Sequence, residues 1–191
     1  MKLRNVISAA AIALFLSCSI AGAQSSGAIT LSPGWNLVSL PLQQPANASS
    51  VASALSSISG AYEVVWAYAG QSWQVYDPND TAGSTLTTMQ AGNGYWIKMT
   101  SQKTLSVSGS EPACSLVLQN GWNLVGYNGA SCAAASTVPS HISSSPSIFW
   151  GYSSKGWQFY QPANAGSTLA YLCSGAGFWI DVNGTATWSG W

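Results

Sequence analysis

Few side chains in this sequence could act as acids, bases or nucleophiles. The whole chain contains only five carboxylates, which are Glu63, Asp77, Asp80, Glu111 and Asp181. Cleavage of glycosidic bonds usually requires a positioned pair of carboxylates. The chain contains two similar segments. When they are aligned, Asp77 corresponds to Gln161 and Asp181 corresponds to Lys98, so neither acid occurs in both segments. The only histidine is His141, and no serine lies in a Gly-x-Ser-x-Gly motif. The sequence therefore predicts a non-catalytic protein, with a hydrolase as the least favoured alternative.

One short segment has the oxygen-rich composition of a calcium loop. Residues 77–81 read Asp-Pro-Asn-Asp-Thr, and closely spaced carboxylates and amides are calcium ligands. The aligned segment 161–165 carries no carboxylate, and Asp, Pro and Asn are common in turns. We therefore favour a polar turn, and we expect neither a metal nor a cofactor.

The scarcity of charge excludes another class of partner. Charged residues make up 5% of the sequence, against roughly 25% in an average globular protein. Binding to nucleic acid requires clustered Lys and Arg, which this chain lacks. A surface with so little charge also has little repulsion to keep molecules apart. This composition favours a protein that is bound to a partner or packed against copies of itself.

Aromatic residues are the strongest candidates for a binding site. Eight of the ten tryptophans form four repeated pairs, at positions 35/122, 66/150, 73/157 and 96/179. Because large aromatics bury much area, we expect Trp35, Trp66, Trp96 and their counterparts to lie mostly in the core. Trp73 and Trp157 each follow a loop, and Trp188 and Trp191 have no aromatic counterparts in the first repeat. We predict that these last four tryptophans are exposed and bind the ligand.

Three cysteines follow the N-terminal region, namely Cys114, Cys132 and Cys173. Their spacing lacks the Cys-x-x-Cys pattern of zinc sites. In an oxidising compartment one disulfide is expected, with one thiol left over. Cys132 follows one predicted strand and Cys173 precedes another, so we predict a bond between Cys132 and Cys173. Cys114 would then be free or available for a cross-link.

The chain is an internal duplication. The pentapeptide Gly-Trp-Asn-Leu-Val occurs at 34–38 and again at 121–125, and several further blocks align at offsets that drift only from 87 to 83. Such self-similarity at a fixed period indicates two copies of one structural unit. We predict a first module over residues 28–109, a linker at 110–113 and a second module over 114–191.

Each copy is predicted to be mainly β, with a minor helical part. Alternating apolar segments bounded by Gly, Asn and Pro indicate short antiparallel strands and hairpins. One hairpin-like turn precedes each pentapeptide, and in a second hairpin we expect Tyr68 opposite Trp73. In the first copy, Val51, Ala54, Leu55 and Ile58 form one apolar helical stripe that Ser49 or Ser50 can cap. The matching region of the second copy supports only a short helical turn.

The N-terminus predicts export. Lys2 and Arg4 precede an apolar stretch over 6–16, and small residues end at Ala23. This stretch is shorter than the roughly 20 apolar residues of a membrane-spanning helix. We therefore predict a signal peptide over residues 1–23, a secreted or cell-surface protein, and no transmembrane anchor. Lipidation at Cys18 is the open alternative.

The repeated blocks resemble a known type of module. Gly-Trp-Asn-Leu-Val-Ser-Leu-Pro-Leu at 34–42, followed by Val-Trp-Ala-Tyr, Trp-Gln-Val-Tyr-Asp-Pro and Gly-Asn-Gly-Tyr-Trp-Ile-Lys, is similar to an uncharacterised repeat of bacterial exported and cell-surface proteins. The resemblance implies secretion and an accessory, non-catalytic role, and it carries no assigned ligand. The second copy departs from it after Val125, where Gly-Tyr-Asn-Gly replaces Ser-Leu-Pro-Leu.

These observations lead to two competing expectations of function. In the first, exposed aromatics bind a cell-surface ligand, with polysaccharide as the candidate. In the second, low charge and exposed strand edges drive self-association into an extracellular matrix or fibre.

Overall fold

The computed structural model describes residues 25–191. The predicted signal peptide and Cys18 lie outside the described residues. Within them, the prediction of a mainly β fold with little helix is confirmed.

The first copy contains six strands and one short α-helix. In chain order these are β1 (Ser25–Leu31), β2 (Gly34–Ser39), α1 (Val51–Ala54), β3 (Tyr62–Ala69), β4 (Ser72–Tyr76), β5 (Gly94–Met99) and β6 (Lys103–Gly109). Strands β2, β5, β3 and β4 form an antiparallel sheet in that order, and β1 pairs with β6 in a separate two-stranded sheet.

The second copy repeats this arrangement and adds a small third sheet. Its strands are β7 (Ser115–Leu118), β8 (Gly121–Gly126), β9 (Ala133–Ala134), β10 (Pro146–Ser153), β11 (Gly156–Tyr160), β12 (Tyr171–Leu172), β13 (Gly177–Val182) and β14 (Ala186–Ser189). The four-stranded sheet has the order β8, β13, β10, β11, while β7 pairs with β14 and β9 with β12. A 3-10 helix over Val138–His141 stands where the first copy has its α-helix, as predicted.

The first predicted hairpin is wrong, because β1 and β2 do not pair with each other. The turn between them instead carries the chain from the two-stranded sheet to the four-stranded sheet. Gly34 has a φ of +88°, which is the left-handed region that favours glycine. The Asn36 side chain closes the turn by accepting from the Ser32 N–H (3.0 Å) and donating to the Ser32 carbonyl (2.7 Å). Gly121 and Asn123 repeat this geometry.

The second hairpin has the predicted register. Tyr68 lies opposite Trp73, and Trp66 lies opposite Val75. The predicted helical stripe is also confirmed, since Ser50 caps α1 and the four apolar positions are buried. The helix is interrupted after Ala54 and continues as a 3-10 helix over Ser56–Ile58.

Each copy has its own hydrophobic core, on one face of its four-stranded sheet. Val65, Ile97 and Leu105 belong to the first core, whereas Phe149 and Ile180 belong to the second. No buried residue is shared between these two clusters of the described chain. The opposite faces of the two sheets are therefore left for contacts outside these cores.

The disulfide Cys132–Cys173 is confirmed. It links the segments beside the paired strands β9 and β12, and it has no equivalent in the first copy, where no cysteine occurs. Cys114 is exposed and belongs to no disulfide within the described residues.

The segment predicted as a linker is anchored at both ends. Ser110 exchanges two backbone hydrogen bonds with Gln43 (2.9 and 3.0 Å), and Asn128 donates to the Ala113 carbonyl (3.1 Å). The connection between the copies is therefore short and attached to both of them.

Candidate binding groove

The two copies contact each other through equivalent residues. The Ser39 N–H donates to the Gly175 carbonyl (3.0 Å), and the Gly126 N–H donates to the Gly92 carbonyl (2.8 Å). Ser39 aligns with Gly126 and Gly92 with Gly175, so each bond is the counterpart of the other. Reciprocal contacts of this kind define a twofold interface in a dimer. The chain thus forms an internal pseudo-twofold pair.

Leucines of the repeated pentapeptide pack into this interface. A Cβ added at Gly177 would lie 3.0 Å from Leu37 Cδ1, and one added at Gly94 would lie 2.9 Å from Leu124 Cδ1. Both leucines are buried but belong to neither core cluster. The added Cβ would also lie 2.8 Å from the Val38 carbonyl oxygen at Gly177 and 3.0 Å from the Val125 backbone nitrogen at Gly94. Glycine is therefore needed because each strand approaches the backbone of the other copy closely.

The second copy first departs from the repeat at Gly126, which aligns with Ser39. This difference also has a cause at the interface. A Cβ at Gly126 would overlap the side chain of Ser39, which is fully buried. Two serines cannot occupy both positions without displacement, so one copy carries glycine.

Outside the leucine contacts, the facing sheet surfaces are lined with aromatic side chains that form two clefts. The first cleft, of about 560 Å³, is lined by Trp35, Trp66, Trp73, Trp96, Tyr152 and Trp157. The second, of about 700 Å³, is lined by Trp122, Trp150, Trp157, Trp179, Tyr68 and Trp73. Each lining residue of one cleft has its aligned counterpart in the other. Since Trp73 and Trp157 line both clefts, we describe them together as the aromatic groove.

Residues from both copies build each cleft. Trp96 lies 5.5 Å from Trp157 between ring centroids, and the equivalent Trp73–Trp179 distance is 5.6 Å. These pairs are T-shaped, which is a favoured geometry because the positive ring edge meets the negative ring face. The Trp66–Trp73 pair is also edge-to-face, at 6.1 Å. The groove exists only where the two copies meet.

The predicted exposure of Trp73 and Trp157 agrees with the structure, in which they are 51% and 52% exposed. The prediction that Trp35 lies in the core is wrong: Trp35 and its counterpart Trp122 are 43% and 42% exposed. Trp66 and Trp96 and their counterparts are half-buried in the groove rather than in a core.

The cause is the alternation of side chains along a strand. Trp66 lies between buried Val65 and Ala67, so it points to the opposite face of the sheet. The same applies to Trp96 between Tyr95 and Ile97. The strand pattern therefore contained the signal that places these tryptophans outside the core.

The prediction that Trp188 is exposed is also wrong. Trp188 is 1% exposed and packs within the second core. Trp188 lies opposite Leu116 in the second copy, and Leu105 lies opposite Ile29 in the first. Because Leu116 aligns with Ile29, Trp188 occupies the position of the core residue Leu105. Trp191 is half-buried and packs edge-on against Trp188 (5.0 Å). Neither residue lines the groove.

The aromatic groove is electrically neutral. No charged side chain lines either cleft of the described chain. Lys98, which lies opposite Trp35 in the strand register, forms an ion pair with Glu63 (2.6 Å). The groove can therefore select a ligand by ring stacking and by neutral hydrogen bonds, since it offers no ion pair.

The segment considered as a calcium loop forms a polar turn. Asp77 Oδ1 accepts from the Asn79 N–H (2.8 Å), and Asp80 Oδ1 accepts from the Gly83 N–H (3.0 Å). Across residues 25–191, His, Cys, Asp and Glu side chains form no group of three or more. Over the same residues, no helix has the length and apolar character to cross a membrane.

Comparison with known proteins gives no relative: no family model, no curated protein and no solved structure matches this chain. The resemblance to a bacterial surface repeat stays a prediction.

Proposed function

We propose that this protein is an exported, non-catalytic binding module whose aromatic groove holds a neutral polysaccharide. The observation that carries the proposal is the partial exposure of eight tryptophans in one uncharged groove. Contiguous apolar surface that remains open to solvent marks binding sites. Every repeated tryptophan of the chain contributes to this surface.

The chemistry of the groove matches sugar rings. A pyranose presents a face of C–H groups, and the negative face of an indole ring attracts such positively polarised hydrogens. The hydroxyl groups of the sugar lie around its edge and can stay in water, because the groove is open. A charged polymer would lose hydration on entering without gaining an ion pair. The neutral lining therefore favours a neutral sugar polymer.

Export from the cell is consistent with a polysaccharide ligand. The predicted signal peptide leads the chain out of the cell, where neutral polysaccharides are accessible. The disulfide Cys132–Cys173 accords with an oxidising compartment.

The test is binding of the mature chain to insoluble cellulose, chitin and β-1,3-glucan, and retardation in gels that contain soluble neutral glucans. Replacing Trp73 or Trp157 by Ala is expected to weaken binding about 30-fold, which is ~2 kcal/mol for a central tryptophan. Replacing both is expected to abolish retention. Tyr171→Ala is the matched control, because Tyr171 is 62% exposed and lies outside the groove.

Two outcomes would overturn the proposal. One is retention on none of these polymers, and the other is equal retention of the double variant. Sedimentation of the same proteins tests the self-association alternative. If the wild type assembles and the Trp73/Trp157 variant is monomeric, the groove is an interface between copies of the chain.

A further inference from the structure

A further cleft, lined by both polar and apolar residues, adjoins the aromatic groove at each end. One end cleft shares Trp35 and Tyr152 with the first aromatic cleft. The other shares Tyr68 and Trp122 with the second. Four clefts thus follow one another across the pseudo-twofold pair. A row of neighbouring clefts suits an extended chain better than a compact molecule.

The two ends are unequal although their positions are equivalent. The cleft beside Trp35 measures about 800 Å³, and the cleft beside Trp122 measures about 340 Å³. We name them the serine cleft and the Gln71 cleft, after the side chains that line them. The serine cleft carries exposed hydroxyls on Thr30, Ser32, Ser153, Ser154 and Ser174.

Gln71 narrows its end by joining the two copies. Its Nε2 donates to the Asn120 carbonyl (3.2 Å), and its Oε1 accepts from the Tyr68 hydroxyl (3.3 Å). Gln71 has a φ of +63°, a left-handed conformation that is strained for a non-glycine residue. The bonds to the second copy help to hold this conformation.

The equivalent hairpin at the serine cleft has a different turn. There the left-handed residue is Gly156, with a φ of +85°, and the loop residues are Ser154 and Lys155. In the described chain, the Lys155 side chain makes no hydrogen bond to the first copy. This end therefore stays open.

We propose that the serine cleft is an additional sugar subsite, through which the bound chain leaves the groove. The inference rests on the proposed function. Hydroxyl groups on serine and threonine both donate and accept, as sugar hydroxyls do, and they require no charge on the ligand. Trp35 and Tyr152 line both the groove and the serine cleft, so a sugar chain that stacks on them can reach the hydroxyl groups of the cleft. Gln71 limits the opposite end, so the chain sits off-centre on the pseudo-twofold pair.

The test is a chain-length series of β-1,4-glucose, β-1,3-glucose and N-acetylglucosamine oligomers with two to eight units, measured by calorimetry. Affinity of the wild type is expected to rise until the serine cleft is filled. Ser154→Trp fills this cleft and is expected to weaken binding of the longest oligomer about tenfold, which corresponds to ~1.4 kcal/mol. The same variant should change binding of the shortest bound oligomer less than about twofold.

Gln71→Trp is the matched variant at the other end. The inference predicts that it changes the affinity for long oligomers far less than Ser154→Trp does. If both variants weaken long oligomers equally, the ends are equivalent and the inference is wrong. The inference is also wrong if oligomers bind but their affinity stops rising at the same oligomer length in the wild type and in Ser154→Trp. If no oligomer binds at all, the proposed function itself fails. Circular dichroism of each variant checks that it is folded.

Discussion

The two copies share the aromatic residues that line their clefts, whereas several residues of their hydrophobic cores differ. Every aromatic residue that lines a cleft, each interface leucine and each close-contact glycine has an identical counterpart in the other copy. The contact itself contains one difference, since Ser39 of the first copy aligns with Gly126 of the second. In the cores, the first copy uses Tyr95 where the second uses Phe178, and Leu105 where the second uses Trp188. The disulfide occurs only in the second copy.

The difference teaches that the groove is more tightly constrained than either core. A core can be repacked within its own module while its total volume is kept. A residue of the groove must fit the other copy as well, and in the proposed function it must also fit the ligand. Three experiments test this distinction.

The largest effect is expected when a tryptophan of the core and a tryptophan of the groove are each replaced by alanine. Trp188→Ala is expected to lower the free energy of unfolding by about 3–5 kcal/mol, because it leaves a cavity in the second core. Trp122→Ala removes the same side chain from a site that is 42% exposed, and it should cost less than about 1 kcal/mol. Urea unfolding of both variants measures the two values. Similar losses would show that the groove tryptophans are structural.

A smaller effect is expected at the pseudo-twofold contact. Gly126→Ser restores the residue of the first copy and is expected to cost about 1–3 kcal/mol through overlap with Ser39. The exchange variant Ser39→Gly/Gly126→Ser again has one serine and one glycine, and it should recover most of this loss. Unfolding free energies of the single and exchange variants provide the comparison. If the exchange variant is no more stable than Gly126→Ser, the overlap does not explain the departure from the repeat.

The smallest effect is expected in the pH dependence of stability, because the first core contains a tyrosine, Tyr95, where the second contains Phe178. The Tyr95 hydroxyl accepts from the Gln90 N–H (2.7 Å) in the first core, and burial raises the pKa of Tyr95 to about 12, against 10 for an exposed tyrosine. Above pH 10 the unfolded chain therefore loses this proton first. The contribution of Tyr95 to the free energy of unfolding is fully present below pH 10 and is lost as pH rises toward 12, by roughly 1 kcal/mol at pH 11.

Tyr95→Phe introduces the residue of the second copy and should remove this part of the alkaline loss. Unfolding in urea between pH 8 and 11 measures the slope for each protein. Tyr62 and Tyr127, whose pKa values burial also raises, account for loss that remains. An unchanged slope in Tyr95→Phe would contradict the assignment.

Much of the fold could be predicted from the sequence because it is local or repeated. Aligned blocks identified the duplication, and the Cys132–Cys173 bond followed from the strands that flank it. The pairing of β1 with β6 could not be predicted from the turn at Gly34, since a turn fixes the direction of the chain and not its partner strand. The partners in this pairing lie 72 to 84 positions apart in the sequence, from Leu31–Lys103 to Ser25–Gly109.

The site was only half predictable for a related reason. Trp73 and Trp157 were found because each follows a loop, but Trp35 was assigned to a core because large aromatic side chains usually bury much area. Trp188 was compared with aromatic residues of the first copy, whereas its structural counterpart is Leu105. A groove between two modules follows from how they pack, and periodicity within one module does not contain that information.

The short anchored connection at residues 110–113 has a consequence for concentration. Two separate copies would have to meet by diffusion, and their groove would be lost on dilution. A short tether instead keeps the partners at an effective concentration in the millimolar range. The groove therefore stays assembled however sparse the protein is, and its two halves can acquire different residues, as Ser39 and Gly126 have.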